Sequence, residues 1–273
     1  MLLALIETGN ALVAPMRAPS DKDWFSAAAK VRAGFRAGDL IVAAPAWADP
    51  LMRLQLGDLV PLSVAGRMDS ARFGRVWEIS QRGARASDTD GAHVASASRH
   101  GALSVKLWER APAVVSFDFL TEWQKASLSV ATAGGEQPCW AADNRFQCGD
   151  GTSLGPELLE IDTAPRNGLA VEPHERVTTI LEYPSAMLGR ELAVAAGLHN
   201  VWQRKSGDGI VRLRVLVDGR ELGTVAAGSM TGWTVRRFAT PELAGHEAKV
   251  RFEITVDKSH GRHFGFAAEA RNP

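Results

Sequence analysis

From Ile210 to Val256 the chain runs in short β-rich stretches, Ile210–Val217, Glu221–Val225, Gly232–Phe238 and Lys249–Val256, punctuated by glycine-centred turns. Asp218-Gly219 is the clearest turn, because both residue types accept the left-handed backbone of a two-residue hairpin. Short strands at such spacing favour two antiparallel sheets stacked over one apolar interior. The pattern reaches back through Ala126–Thr132 and Val114–Phe119 with no convincing helix between, so a β-sandwich or jelly roll is expected over residues 113–273.

Upstream the period changes. Ser20 is a candidate N-cap, Asp21 and Asp23 suit a first helical turn, and Trp24, Ala27, Ala28, Val31 and Phe35 follow at helical spacing until Gly38-Asp39. Leu40–Ala44 is an uninterrupted apolar run, as a strand covered on both faces should be. Arg75–Ser80 and Leu103–Trp108 read as two more strands, with a helix expected around Ala92–His100. Helices alternating with short apolar strands predict a small, largely parallel, three-layer Rossmann-like α/β domain over residues 20–112. The expected fold class is therefore α+β, in two domains.

Residues 1–19 are set apart as a leader. Met1–Pro15 is mostly apolar but interrupted by Glu7, Gly9 and Asn10, and two readings stand: part of a signal or anchor segment, or a short first helix packed on the domain. No later stretch approaches a membrane span. With 31 Lys and Arg against 31 Asp and Glu, the chain lacks the bulk field that draws proteins onto nucleic acid or anionic lipid, which leaves only a local basic patch as an alternative. Cys139 and Cys148 flank a segment with the turn-forming pair Asp143-Asn144. A disulfide there would contribute roughly 2–3 kcal/mol by loop closure and imply an oxidising, periplasmic or secreted setting; two free thiols are the alternative. No neighbouring Cys or His supplies zinc spacing, so no metal is assigned. Structural calcium is left open, since carbonyl-rich loops at Ser206–Gly209 and Asp257–Gly261 have no residue signature.

Three sequences point to kinship: Val211–Val217 running into Asp218-Gly219, Gly232-Trp233 before a strand, and Leu243-Ala244-Gly245 leading into Val250–Ile254. On these the C-terminal part resembles the galactose-binding-like jelly-roll superfamily, which implies a carbohydrate-binding or accessory module without specifying a sugar. The N-terminal half carries Asp23-Trp24, Ala27-Ala28, Val31-Arg32, Gly38–Val42 and Arg75-Val76-Trp77. There it is similar to the soluble extracytoplasmic α/β region of bacterial lipid-linked-sugar membrane glycosyltransferases. No catalytic residue carries over, because the membrane portion that holds their catalytic carboxylate has no counterpart here.

Two groups of candidate residues follow. Arg53, Asp58, Arg67, Asp69, Arg72 and Arg75 form the densest polar set, near Trp47 and Asp49 in the loop after Leu40–Ala44, where α/β sheets bind ligands. They read as a site for an anionic sugar or phosphate, or as Arg–Asp pairs tying helix to sheet. In the sandwich, Trp202 with Arg204, His199 and Arg262 offer an aromatic face and planar polar groups for a sugar. Trp233 is expected in the core and His263 as a hydrogen-bonded structural histidine. The standard enzymatic motifs are missing, His174-Glu175 lacks the second histidine of a zinc motif, and Glu157, Glu160 and Asp162 read as a solvated loop. The leading expectation is non-catalytic binding of a glycan or cell-envelope partner. Two rivals are an enzyme or enzyme accessory acting on lipid-linked sugars through Arg53–Arg75, and a structural subunit docked on a membrane protein.

Overall fold

The computed structural model describes residues 18–199, 209–258 and 262–273. Contacts divide the chain into two compact units, the first reaching Val64 and resuming over Ser70–Pro112, the second made of Ala65–Asp69 with Ala113–Pro273.

The first unit begins with helix α1 (Asp21–Gly34), closed at its start by a reciprocal cap in which the Ser20 hydroxyl accepts the Asp23 N–H and the Asp23 carboxylate accepts that of Ser20. Trp24, Ala27, Ala28 and Val31 form its buried face. Strand β1 (Leu40–Ala44) follows, buried throughout, then a 3₁₀ turn (Ala46–Ala48), helix α2 (Asp49–Leu56) and one-turn helix α3 (Leu62–Ala65). Strands β2 (Arg75–Gln81), β3 (His93–His100) and β4 (Leu103–Glu109) complete a sheet of order β1-β2-β4-β3.

That sheet corrects the Rossmann-like expectation. Only β1 and β2 run parallel, while β2–β4 and β3–β4 are antiparallel. The helix expected around Ala92–His100 is instead strand β3, joined to β4 across Gly101, whose φ of 60° opens a left-handed turn. The reason is visible in the residues: His-Val-Ala-Ser-Ala-Ser-Arg-His has no apolar stripe that a helix could bury, whereas β4 supplies a ladder from His93 to His100 with one register shift between Val94 and Ser96. Buried Asp39 organises the other end of the unit, accepting the Trp77 indole N–H at 2.8 Å and pairing with Arg75 at 3.0 Å.

The second unit is a β-sandwich. Its strands are β5 (Val114–Asp118), β6 (Ser127–Thr132), β7 (Gly135–Pro138), β8 (Trp140–Ala142), β9 (Arg145–Gln147), β10 (Ser153–Ile161) and β11 (Ala164–Val171). Then come β12 (Thr178–Met187), β13 (Glu191–Leu198), β14 (Val211–Val217), β15 (Arg220–Ala227), β16 (Thr234–Ala239), β17 (Glu247–Val256) and β18 (Phe264–Asn272). One sheet has the order β15-β14-β17-β12-β6-β7; the other runs β16-β13-β18-β11-β10-β9-β8, with β5 also paired to β18. The Asp218-Gly219 hairpin has φ of 49° and 81°, the left-handed pair that the sequence called for.

Period-2 alternation builds the core between the sheets. Leu213 and Val215 of β14 and Phe252 and Ile254 of β17 face Leu192 and Val194 of β13 and Phe264 and Phe266 of β18. Tyr183 lies edge-on to Phe119 and Phe252, and its hydroxyl donates to the Phe119 carbonyl at 2.5 Å. Burial, then the charges of Asp118 and Glu122, push its phenol far above the usual range, so it remains a neutral donor.

Strand β18 is buried on its other face as well, and there Ala267, with Ala193 and Ala195 of the neighbouring β13, lies under Met68 and Trp233, whose indole donates to the Met68 carbonyl at 2.9 Å. Segment Ala65–Asp69 reaches this face through Asp69, which takes both terminal nitrogens of Arg271 at 3.0 and 2.9 Å. Arg271, only 1% exposed, also donates to Glu191 at 2.9 Å, and Glu269 stands 3.6 Å away. Burial works against its charge, but Asp69 and Glu191 more than offset that and hold its pKa above the ordinary value. Arg271→Met would leave Asp69 and Glu191 with only the half-exposed Arg237 as a shared counter-charge, at 3.4 and 3.6 Å, and a loss of about 3 kcal/mol in unfolding free energy is expected by urea titration. A loss near zero would show that the cluster is not a structural anchor.

Candidate site on the outer face of the larger sheet

Hairpin β8–β9 stands at the edge of the eight-stranded sheet, turned at Asp143 (φ 50°) and clasped at its open end by the Cys139–Cys148 disulfide. Cys148 and Phe146 sit in the core, which fixes the neighbouring residues to the opposite face by strand alternation. Trp140 pairs with Gln147, and Gln147 with Ser153, whose hydroxyl it approaches at 3.3 Å. Trp140 is 56% exposed although it is a large aromatic.

The same row continues inward. One residue beyond the Leu154–Val171 and Val171–Phe264 pairs stand Glu172 and His263, and the His263 Nδ1 lies 3.4 Å from the Glu172 carboxylate. The His263 carbonyl accepts the His199 N–H at 2.9 Å, and the two imidazoles meet edge to face at 5.8 Å. Glu157 reaches the His263 Nε2 at 3.0 Å. Trp140, Gln147, Ser153, Glu172, His263 and His199 therefore form a polar row crossing six strands, about 24 Å at ordinary strand spacing. On its inboard side the residues are small, Gly155, Ala170, Gly265 and Gly197 in register, and Leu159 and Ile161 lean over Gly265 and Gly197. The result is a strip of amide, hydroxyl, carboxylate and imidazole groups with an open indole at one end.

The outer face of the six-stranded sheet differs. A shallow cavity of about 460 Å³ there is lined by Glu182, Leu216, Asp218, Gly219, Lys249, Arg251 and Glu253. Its charges are matched among themselves: Arg251 with Glu253 at 2.9 Å, Glu182 at 3.5 Å and Glu136 at 3.6 Å, and Lys249 with Glu182 at 3.7 Å. A ligand there must displace existing ion pairs and finds no aromatic platform in the lining.

The residues singled out from the sequence fall in different places. Asp49 pairs with Arg53 at 2.5 Å, Asp58 with Arg32, and Arg75 with Asp39, each within the first unit, where Trp47 is also exposed. Arg67 and Asp69 belong to the second unit, where the Arg67 carbonyl accepts from Arg166 and Asp69 serves Arg271. Within the first unit, Asp49, Arg53, Asp58 and Arg75 are thus engaged in pairs. Arg262 is buried on the core side with its guanidinium at Ser229, while His199 joins the row. Trp202 and Arg204 lie outside the described residues, as do Met1–Pro15 and parts of both proposed calcium loops. Trp140 was not singled out by sequence reasoning; the available signal was an aromatic beside a cysteine on a two-stranded hairpin.

Among the described residues no group of three or more His, Cys, Asp or Glu is arranged to hold a metal, and no helix is long and apolar enough to cross a membrane. No known family profile matches the sequence, and no curated protein matches it. Solved structures do. One is the second family-51 carbohydrate-binding module with INT domains of Clostridium perfringens ZmpB in complex with GlcNAc, 13% identical, TM-score 0.35, covering 66% of this chain and 40% of that one. A family-51 module of a C. perfringens GH95 protein in complex with methyl-galactose is 13% identical, TM-score 0.31, covering 57% of this chain and 99% of that one. A family-27 module of Caldicellulosiruptor saccharolyticus in complex with mannohexaose is 16% identical, TM-score 0.34, covering 59% and 97%. The resemblance of the N-terminal half to membrane glycosyltransferases is not shown.

Because the disulfide closes a loop of sequence separation 9, replacing both cysteines by serine should cost roughly 2–3 kcal/mol of stability. Thermal or urea unfolding of the oxidised protein and the double variant measures this directly, with equal stabilities as the contrary outcome.

Proposed function

We propose that this is a non-catalytic glycan-binding protein whose contact surface is the polar row on the outer face of the eight-stranded sheet. The observation that carries the reading is Trp140: a large indole left open at a disulfide-clasped edge, in line with groups that can bond sugar hydroxyls. A pyranose presents an apolar C–H face to an aromatic ring and hydroxyls around its rim, and the strip offers both partners side by side. Its length suits several sugar units of one extended chain rather than a single buried ring. Glu157 and Glu172 outnumber Arg145 along the strip, which favours an uncharged glycan over an anionic one.

The setting proposed with it is extracytoplasmic. The Cys139–Cys148 bond supports that, since disulfides persist where the solution is oxidising. The cell-envelope partner of the sequence reading remains a proposal of the same kind, with a surface polysaccharide as its natural form.

An array of neutral and acidic glycans, followed by calorimetry on the best ligand, tests the reading. Trp140→Ala should weaken binding roughly 5- to 30-fold, the equivalent of about 1–2 kcal/mol for a lost aromatic contact, with unfolding unchanged. Glu172→Gln should weaken it less, because the amide keeps one acceptor. If no neutral glycan is retained, or if Trp140→Ala binds as the unaltered protein does, the assignment of this face is wrong.

A further inference from the structure

The first unit carries a surface that glycan binding does not use. Trp47, Leu51 and Leu54 are 64%, 44% and 73% exposed. They recur at helical spacing through the 3₁₀ turn and α2, on a different face from Ala48, Met52 and Leu56, which are buried. Helix α2 is therefore apolar on two faces, one facing its own core and one facing solvent. Leu62, 60% exposed, follows at the start of α3. Four large apolar side chains open to water within sixteen residues form a concentration that soluble surfaces normally avoid.

Charge says what covers it. Residues 18–64 and 70–112 hold twelve Lys and Arg against nine Asp and Glu, a net +3 in a chain whose total is zero. The two carboxylates beside the stripe are neutralised locally, Asp49 by Arg53 and Asp58 by Arg32. Arg32 also bonds the Gln55 carbonyl at 2.7 Å, which holds α1 against the end of α2. Lys22 and Lys30 on α1 and Arg36 just beyond its end are exposed, together with Asp21 and with Phe25, 67% exposed. An indole and leucines on one face with lysines and arginines nearby is the composition of an interfacial segment, whose aromatic ring sits at headgroup level while cations meet phosphates.

We infer that the first unit docks on an anionic lipid surface, with Trp47, Leu51, Leu54 and Leu62 entering the headgroup region and Lys22, Lys30 and Arg36 contacting the phosphates. The interaction is peripheral and reversible, since so few side chains enter and the attraction between exposed charges and phosphates is screened by salt.

Flotation of the full chain with vesicles is the test, using phosphatidylcholine alone and phosphatidylcholine containing phosphatidylglycerol. Binding is expected only to the anionic vesicles and should fall as salt is raised. The double variant Trp47→Ser with Leu54→Gln alters two solvent-exposed positions and should fold normally by circular dichroism; it should bind at least about tenfold more weakly. Lys30→Glu with Arg36→Glu should weaken binding to the anionic vesicles while leaving apolar contacts in place. Equal flotation of the Trp47/Leu54 variant would place any lipid contact elsewhere in the chain and overturn the proposal. So would absence of flotation with both compositions, or a concentration-dependent dimer that the same variant abolishes, which would make a second copy the occupant. Glycan affinity of the Trp47/Leu54 variant, measured in parallel, should be unchanged, so this surface and the Trp140 row can fail independently.

Discussion

A single buried guanidinium governs the second unit. Arg271 is only 1% exposed, so Asp69 meets both its terminal nitrogens and Glu191 its Nε, while the more exposed Arg237 approaches the same two carboxylates at 3.4 and 3.6 Å. Through Asp69 the contact joins residues 202 apart in sequence, and with it Met68 is brought over Ala193, Ala195 and Ala267 and under the Trp233 indole. Strand β18 is consequently enclosed on both faces, by the aromatic core on one and by this ion cluster with its small-residue floor on the other. A buried ionic group of this kind contributes more to specifying one arrangement than to net stability, because desolvation consumes much of the Coulombic gain.

The two outer faces of the sandwich then diverge in chemistry. On the smaller sheet, Arg251, Lys249, Arg214 and their carboxylate partners satisfy one another across neighbouring strands, leaving a solvated lattice. On the larger sheet the edge hairpin is clasped by a disulfide, and clamping Cys148 into the core turns Trp140 outward beside Gln147. Rigidity at that edge bears on the proposed glycan face: an indole held by its hairpin has little freedom to lose on contact with a ligand. The exposed apolar stripe on the first unit is a matter of that unit's own surface composition.

Much of this was legible in residues taken a few at a time. Ser20 with Asp23 announces a helix start because their side chains can cap each other locally, and Asp218-Gly219 announces a hairpin because few other residues accept that backbone. Leu40–Ala44 declares a strand buried on both faces by lacking any polar position. Partners distant in sequence leave no such local mark. Ala92–His100 has enough alanine to suggest a helix, yet its conformation is decided by the ladder with β4, and that choice made the small sheet mixed instead of largely parallel. Likewise the arginines and aspartates between Arg53 and Arg75 are neighbours along the chain but answer to different partners: Asp58 to Arg32, Arg75 to Asp39, Asp69 to Arg271.

The amino-acid sequence alone determined that residues beyond 113 alternate inward and outward, that turns fall at Asp218-Gly219 and Asp143-Asn144, and that the two cysteines lie near enough to bond. These are local properties, set by backbone preference and side-chain period over a handful of residues. Tertiary structure decided which outward residues share a face: the row from Trp140 to His199 gathers side chains from six strands, and its existence depends on strand order and register. Neither is encoded in any one segment, because a strand's neighbours are chosen by the burial of the whole core.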